Sequence, residues 1–123
     1  MPVTVRYIVD DAEAARDFYR DALGFTVDMD AAPNFAMLSR GDLRLLLNRP
    51  GAGGAGQPSD AGDMPQPGGW NRIQIDVDDV AAATDQLVAA GGRCRTAPVQ
   101  GNGGVQAVVD DPSGNAIELF AAG

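Results

Sequence analysis

The sequence contains no histidine and a single cysteine, Cys94. The commonest general base and the commonest transition-metal ligand are therefore both missing. Any enzymatic chemistry falls to carboxylates, arginines, tyrosines and one thiol. A lone cysteine forms no internal disulfide, and nothing points to an oxidising compartment. Basic residues are scarce, 9 against 17 acidic ones, for a formal net charge of −8. Nucleic acid and anionic membranes repel such a surface, so neither is expected as a partner. No apolar run approaches the roughly 20 residues of a membrane-spanning helix. Met1 to Val5 run straight into strand-like alternation with no basic-then-apolar leader, and the expectation is a cytoplasmic protein.

What is present is enough for one compact domain with a hydrophobic core: 123 residues, 45 % hydrophobic and 21 % charged. The chain repeats its own grammar. Val5 to Asp11 alternates and ends on two aspartates, and Ile73 to Asp79 does the same, with the pairs 78 − 10 = 68 positions apart. Each pair precedes a stretch with helical spacing, Ala15, Phe18, Tyr19 and Ala22 in one, Val80, Thr84, Leu87 and Val88 in the other. The aspartates suit helix N-caps, and Gly24 and Gly92 suit left-handed C-terminal positions. Three short strands follow each helix: 25–29, 35–39 and 43–47, then 93–99, 105–109 and 116–120. The order strand, helix, strand, strand, strand occurs twice. Residues 49–69 are rich in Gly and Pro, form no regular element, and read as a linker or as a flap over a site.

These residues resemble the vicinal oxygen chelate superfamily, which holds glyoxalase I, the bleomycin-resistance proteins and extradiol dioxygenases. Three stretches carry the likeness: Asp11 to Phe25 with its Phe18-Tyr19 pair, Val77-Asp78-Asp79-Val80, and Asp111-Pro112-Ser113-Gly114-Asn115 running into Ala116 to Phe120. The resemblance implies an α+β fold of two tandem βαβββ modules, a curved mixed sheet around a cleft with helices on the outer face. It implies a single domain over 1–123, with module one at about 1–48, the linker at about 49–69 and module two at about 70–123. It also implies a homodimer with two interface clefts.

Metal-dependent members of that family hold a divalent ion through four side chains, one on the first and one on the last strand of each module. The family spacing brings Thr4, Arg72 and Glu118 to three of these positions, and Leu45 or Leu46 to the fourth. Leucine does not coordinate, a guanidinium places positive charge where the ion would sit, and one carboxylate is too few. No metal and no cofactor is expected. Arg72 and Glu118 either fill the vacated site as a salt bridge or hold an oxygen-rich ligand.

Alternation turns Thr4, Arg6 and Ile8, and likewise Arg72, Gln74 and Asp76, to one face, leaving Val5, Tyr7, Val9, Ile73, Ile75 and Val77 for the core. Tyr7 is thus a core residue. Phe35, Met37 and Leu46 are candidates for an apolar lining, and Trp70 is either an anchor or a platform for a flat ligand. Cys94 reads as a silent buried thiol. The candidate ligand-binding set is Phe35, Met37, Leu46, Trp70, Arg72, Gln74 and Glu118, with no catalytic residue assigned. The expected function is metal-free binding that sequesters a drug-sized aromatic, polyketide or peptide natural product, as in the bleomycin-resistance branch. The alternative is a metal-independent isomerase, lyase or cyclase-like enzyme with Glu118 or Asp76 as a base raised by burial. A purely structural dimer module is a third reading.

Overall fold

The computed structural model describes residues 2–123. The chain divides into two compact units, the first ending at Pro67 and the second beginning at Gly68. Each is an α+β module with the order βαβββ.

The first unit consists of β1 (Val3–Ile8), α1 (Ala12–Leu23), β2 (Thr26–Ala31), β3 (Phe35–Arg40) and β4 (Leu43–Asn48). Its sheet runs β1-β4-β3-β2, with β1 parallel to β4 and the other pairs antiparallel. Asp11 caps α1, its carboxylate accepting the amide of Glu13, and Gly24 ends the helix at φ 70°, where a side chain would be strained. The helix buries Ala12, Ala15, Phe18, Tyr19 and Leu23 against Ala36, Leu38, Leu45 and Leu47, which alternation brings to the same side of the sheet. Tyr19 is the pivot of this core. It meets Tyr7, Phe18 and Phe25 edge-on at centroid separations of 6.5, 5.4 and 5.6 Å, the arrangement that ring quadrupoles favour.

The second unit repeats the plan with β5 (Ile73–Asp76), α2 (Val80–Ala89), β6 (Arg93–Gln100), β7 (Gly104–Asp110) and β8 (Ala116–Ala122), in the sheet order β5-β8-β7-β6. Asp79 caps α2 by accepting from the amide of Ala82. Three details depart from the sequence pattern. The helix stops at Ala89, so the positive-φ residue is Gly91 rather than Gly92. Val88 is exposed, and the buried face of α2 is Val80, Ala83, Thr84 and Leu87. Cys94 is exposed rather than buried. It stands on β6, the outer strand, whose two register shifts bend it away from regular pairing.

The Asp111-Pro112-Ser113-Gly114-Asn115 stretch is a structural turn. Asp111 is buried, and its carboxylate accepts from the amides of Ser113 and Asn115 and from the Asn115 side chain. The Asn115 side-chain Oδ1 in turn accepts from the amide of Gly68. Residues 49–57 belong to the first unit and are closely tied despite forming only turns. Asn48 donates to the carbonyls of Arg49 and Ala52, and Gln57 donates to those of Gly51 and Gly53. Gly56 is enclosed: a β-carbon there would lie 2.8 Å from the Arg49 carbonyl and nearer still to the Ala52 backbone.

The two neighbouring glycines of this loop make a stability test. Gly56→Ala forces backbone apart and is expected to destabilise by roughly 1–3 kcal/mol, the range for overpacking. At Gly54 a β-carbon meets nothing within 4 Å, so Gly54→Ala should stay within about 0.5 kcal/mol of the parent. Chemical denaturation of both variants checks this, and equal effects would mean the loop is not packed as described.

Candidate functional site

In each unit one face of the sheet carries the helix and the other is open. The pairing of first with last strand decides which residues share the open face. In the first unit Arg6 stands opposite Leu46, and Leu46 opposite Met37. In the second, Gln74 stands opposite Glu118. Since 6 + 68 = 74, the two rows are equivalent in the repeat, and Leu46 is the counterpart of Glu118. The choice between Leu45 and Leu46 is thereby resolved. Leu45 is fully buried on the helix side.

On the first unit's open face Phe35, Met37 and Leu46 are half-buried, and Met29, opposite Met37, is 53 % exposed. Arg6 reaches along this face, its Nη1 donating to the Asn48 Oδ1 at 2.8 Å. Asn48 itself is buried.

On the second unit's open face three of the candidate residues join in one network. Arg72 approaches the Glu118 Oε1 through Nε at 3.0 Å and Nη2 at 2.8 Å, while the Gln74 amide donates to Oε2 at 2.6 Å. Both carboxylate oxygens are thus engaged by donors. The Gln74 hydrogen bond, followed by the Arg72 hydrogen bond and charge, lowers the Glu118 pKa despite an opposing contribution from burial. The expectation of a carboxyl raised by burial is reversed. Arg72 Nη1 also lies 3.4 Å from the Trp70 carbonyl oxygen.

Trp70 is not a buried anchor. It is 66 % exposed, and Arg95 lies over its ring at 4.6 Å from the centroid. Arg95 is a residue the sequence pattern passed over. It pairs with Asp110 at 2.8 Å and donates to the carbonyls of Gly69 and Gly114 at 2.7 and 3.2 Å. One guanidinium therefore fastens the Gly69-Trp70 entry segment to β7 and to the Asp111–Asn115 turn. Arg95 falls in the register shift between Cys94 and Thr96 on β6, and no periodicity announces a bulge.

The donors at the family's metal positions do not fit a divalent ion. Thr4 and Leu46 offer one hydroxyl in the first unit, and in the second the Glu118 carboxylate is already occupied by Arg72 and Gln74. Among the described residues no three His, Cys, Asp or Glu side chains cluster as a metal site would require. None of the described helices is long and apolar enough to cross a membrane.

A lowered folded-state pKa means that Glu118 adds stability above the unfolded value of about 4.3 and loses it as pH falls through the folded value. In a carboxyl-carbon NMR titration Glu118 should therefore titrate below about 4.3. Gln74→Leu and Arg72→Met should each raise its midpoint. With both replaced, burial alone remains and the midpoint should lie above the ordinary value. A midpoint that neither substitution moves would contradict the network.

The comparisons with known proteins agree with this architecture. The model of the Glyoxalase/Bleomycin resistance protein/Dioxygenase superfamily matches residues 2–119. A glyoxalase/bleomycin resistance protein/dioxygenase family enzyme from Burkholderia phytofirmans PsJN is 26 % identical, with 97 % of this chain and 96 % of that one covered at a TM-score of 0.76. A superfamily member from Sphaerobacter thermophilus is also 26 % identical, with 98 % and 96 % covered at 0.73. The bleomycin-binding protein of Streptomyces verticillus, solved with copper(II)-bleomycin, is 23 % identical, with 100 % and 97 % covered at 0.64. No curated protein matches the chain. The chain belongs to the Glyoxalase/Bleomycin resistance protein/Dioxygenase superfamily.

Proposed function

We propose that this protein binds a drug-sized natural product and holds it unchanged, without a metal ion. The observation that carries the reading is the Arg72–Glu118–Gln74 network. At positions where metal-dependent relatives are expected to hold an ion, this chain has a satisfied ion pair. That pair presents fixed N–H donors to an oxygen-rich ligand. Exposed Trp70, backed by Arg95, offers a ring face for stacking, and Phe35, Met37 and Leu46 offer apolar surface on the first unit. The bleomycin-binding protein of Streptomyces verticillus supports the reading as a fold relative that binds such a compound. On this reading the protein acts in the cytoplasm as a homodimer, and light scattering should give 2 × 12.7 = 25.4 kDa rather than 12.7 kDa.

A metal-independent isomerase, lyase or cyclase-like activity is the second reading. It needs a carboxylate that accepts a proton near neutral pH. Glu118 is shifted the opposite way, which leaves Asp76 on the same face to serve it.

Panels of aromatic polyketide and peptide antibiotics test the proposal. A ligand should quench the emission of Trp70, the only tryptophan, and mass spectrometry should recover it unaltered. Trp70→Ala should weaken binding by roughly 1–3 kcal/mol, the scale for loss of an aromatic anchor, and leave the fold intact because the ring is exposed. Steady conversion of a bound compound to a product of different structure would overturn the sequestration reading in favour of the enzyme.

A further inference from the structure

The chain has no lysine, and its nine basic residues are all arginine. Arg16, Arg20, Arg72 and Arg95 each pair with a carboxylate. Arg6 does not. Among the described residues its one side-chain hydrogen bond is to the neutral amide of Asn48. That amide is set in place: Asn48 is 4 % exposed, and its Nδ2 donates to the carbonyls of Arg49 at 2.9 Å and Ala52 at 3.1 Å. With both N–H groups committed, Oδ1 is the atom left to accept from Arg6. The guanidinium is therefore held through Nη1, and its Nε–Nη2 edge remains available. Two parallel N–H bonds along such an edge match a carboxylate.

The surroundings have the complementary character. Arg6 stands in the row Arg6, Leu46, Met37, Met29, three apolar side chains beside one cation. Arg44 shares the face two residues away on β4. No acidic residue stands at a paired position of this face. Asp30 pairs opposite Ala36 on the helix side and binds Arg16, while Asp28 falls in the bulge between Val27 and Met29. In a chain of net charge −8, a face that is cationic and apolar is a local inversion of sign.

We propose that the open face of the first unit is a subsite for an aromatic carboxylate, in which Arg6 takes the carboxylate and Met37 and Leu46 take the ring. The proposal rests on the binding reading above and narrows it to acidic aromatic ligands. Asn48 is a positioning residue that aims Arg6.

The probes are 2-naphthoate and its uncharged methyl ester, titrated into uniformly ¹⁵N-labelled protein and followed by amide shifts. Net charge repels the acid and not the ester, so a preference for the acid has to arise locally. The acid should bind about tenfold more tightly, as a charge-assisted bond supplies, with shifts centred on Met37 and Leu46. Arg6→Met should abolish the preference while ester affinity is kept, and Arg6→Lys should restore part of it. Arg44→Met should leave most of it. Equal affinity of acid and ester for the unaltered protein overturns the subsite and leaves the binding reading standing. No saturable binding of either probe overturns the subsite, while antibiotic binding through Trp70 is still read separately. An Arg6→Met protein that falls apart into monomers with the acid preference intact assigns Arg6 to a contact between copies and also overturns it.

Discussion

In each unit the first strand lies parallel to the last, and this pairing decides what every other residue of the sheet does. Once Arg6 to Leu46 and Gln74 to Glu118 are set by it, the pleat assigns alternate residues to the helix side or the open side. A slip of β4 by one residue would send Leu45 and Leu47 to solvent, and a slip of β1 would put Arg6 under the helix. The buried set Tyr7, Val9, Leu45, Leu47, Ile75, Ile117 and Leu119 holds the register, because exposing it would forfeit most of each core. The open face is thereby freed from any duty in folding, and its residues are at liberty to vary.

The two units have used that liberty differently. Equivalent rows carry Arg6 with Leu46 in one and Gln74 with Glu118 in the other. In the second unit, charge is matched within the face: Glu118 is satisfied by Arg72 and Gln74, and Arg95 by Asp110. In the first, the cation is held by an amide and bordered by apolar side chains. One half offers a satisfied polar network, the other an oriented charge beside a greasy surface.

Local physics made much of this legible in advance. The two Asp pairs 68 positions apart, the helical spacing after each and the period-2 strands belong to short windows of sequence, and the caps at Asp11 and Asp79 follow from one side chain each. Alternation likewise placed Tyr7 in the core and Arg6 and Gln74 outside it. What escaped depends on partners distant in the chain or on irregular backbone. Cys94 alternates as a buried residue would but sits on an outer, bulged strand. The Glu118 shift comes from residues more than 40 positions away. Asn48 is an ordinary strand-end amide until the turn at 49–52 closes over it.

In the second unit, the positions that the family likeness assigns to metal ligands hold groups that bind one another. Arg72 and Gln74 satisfy both oxygens of Glu118, and Thr4 and Leu46 add one weak donor between them. The direct measurement is elemental analysis of the protein after dialysis against a mixture of zinc, nickel, manganese and iron(II) followed by buffer. Substoichiometric metal, below about a tenth of an equivalent per chain, is predicted for a donor set that lacks the needed ligands. About one equivalent of any of these ions per chain would contradict it.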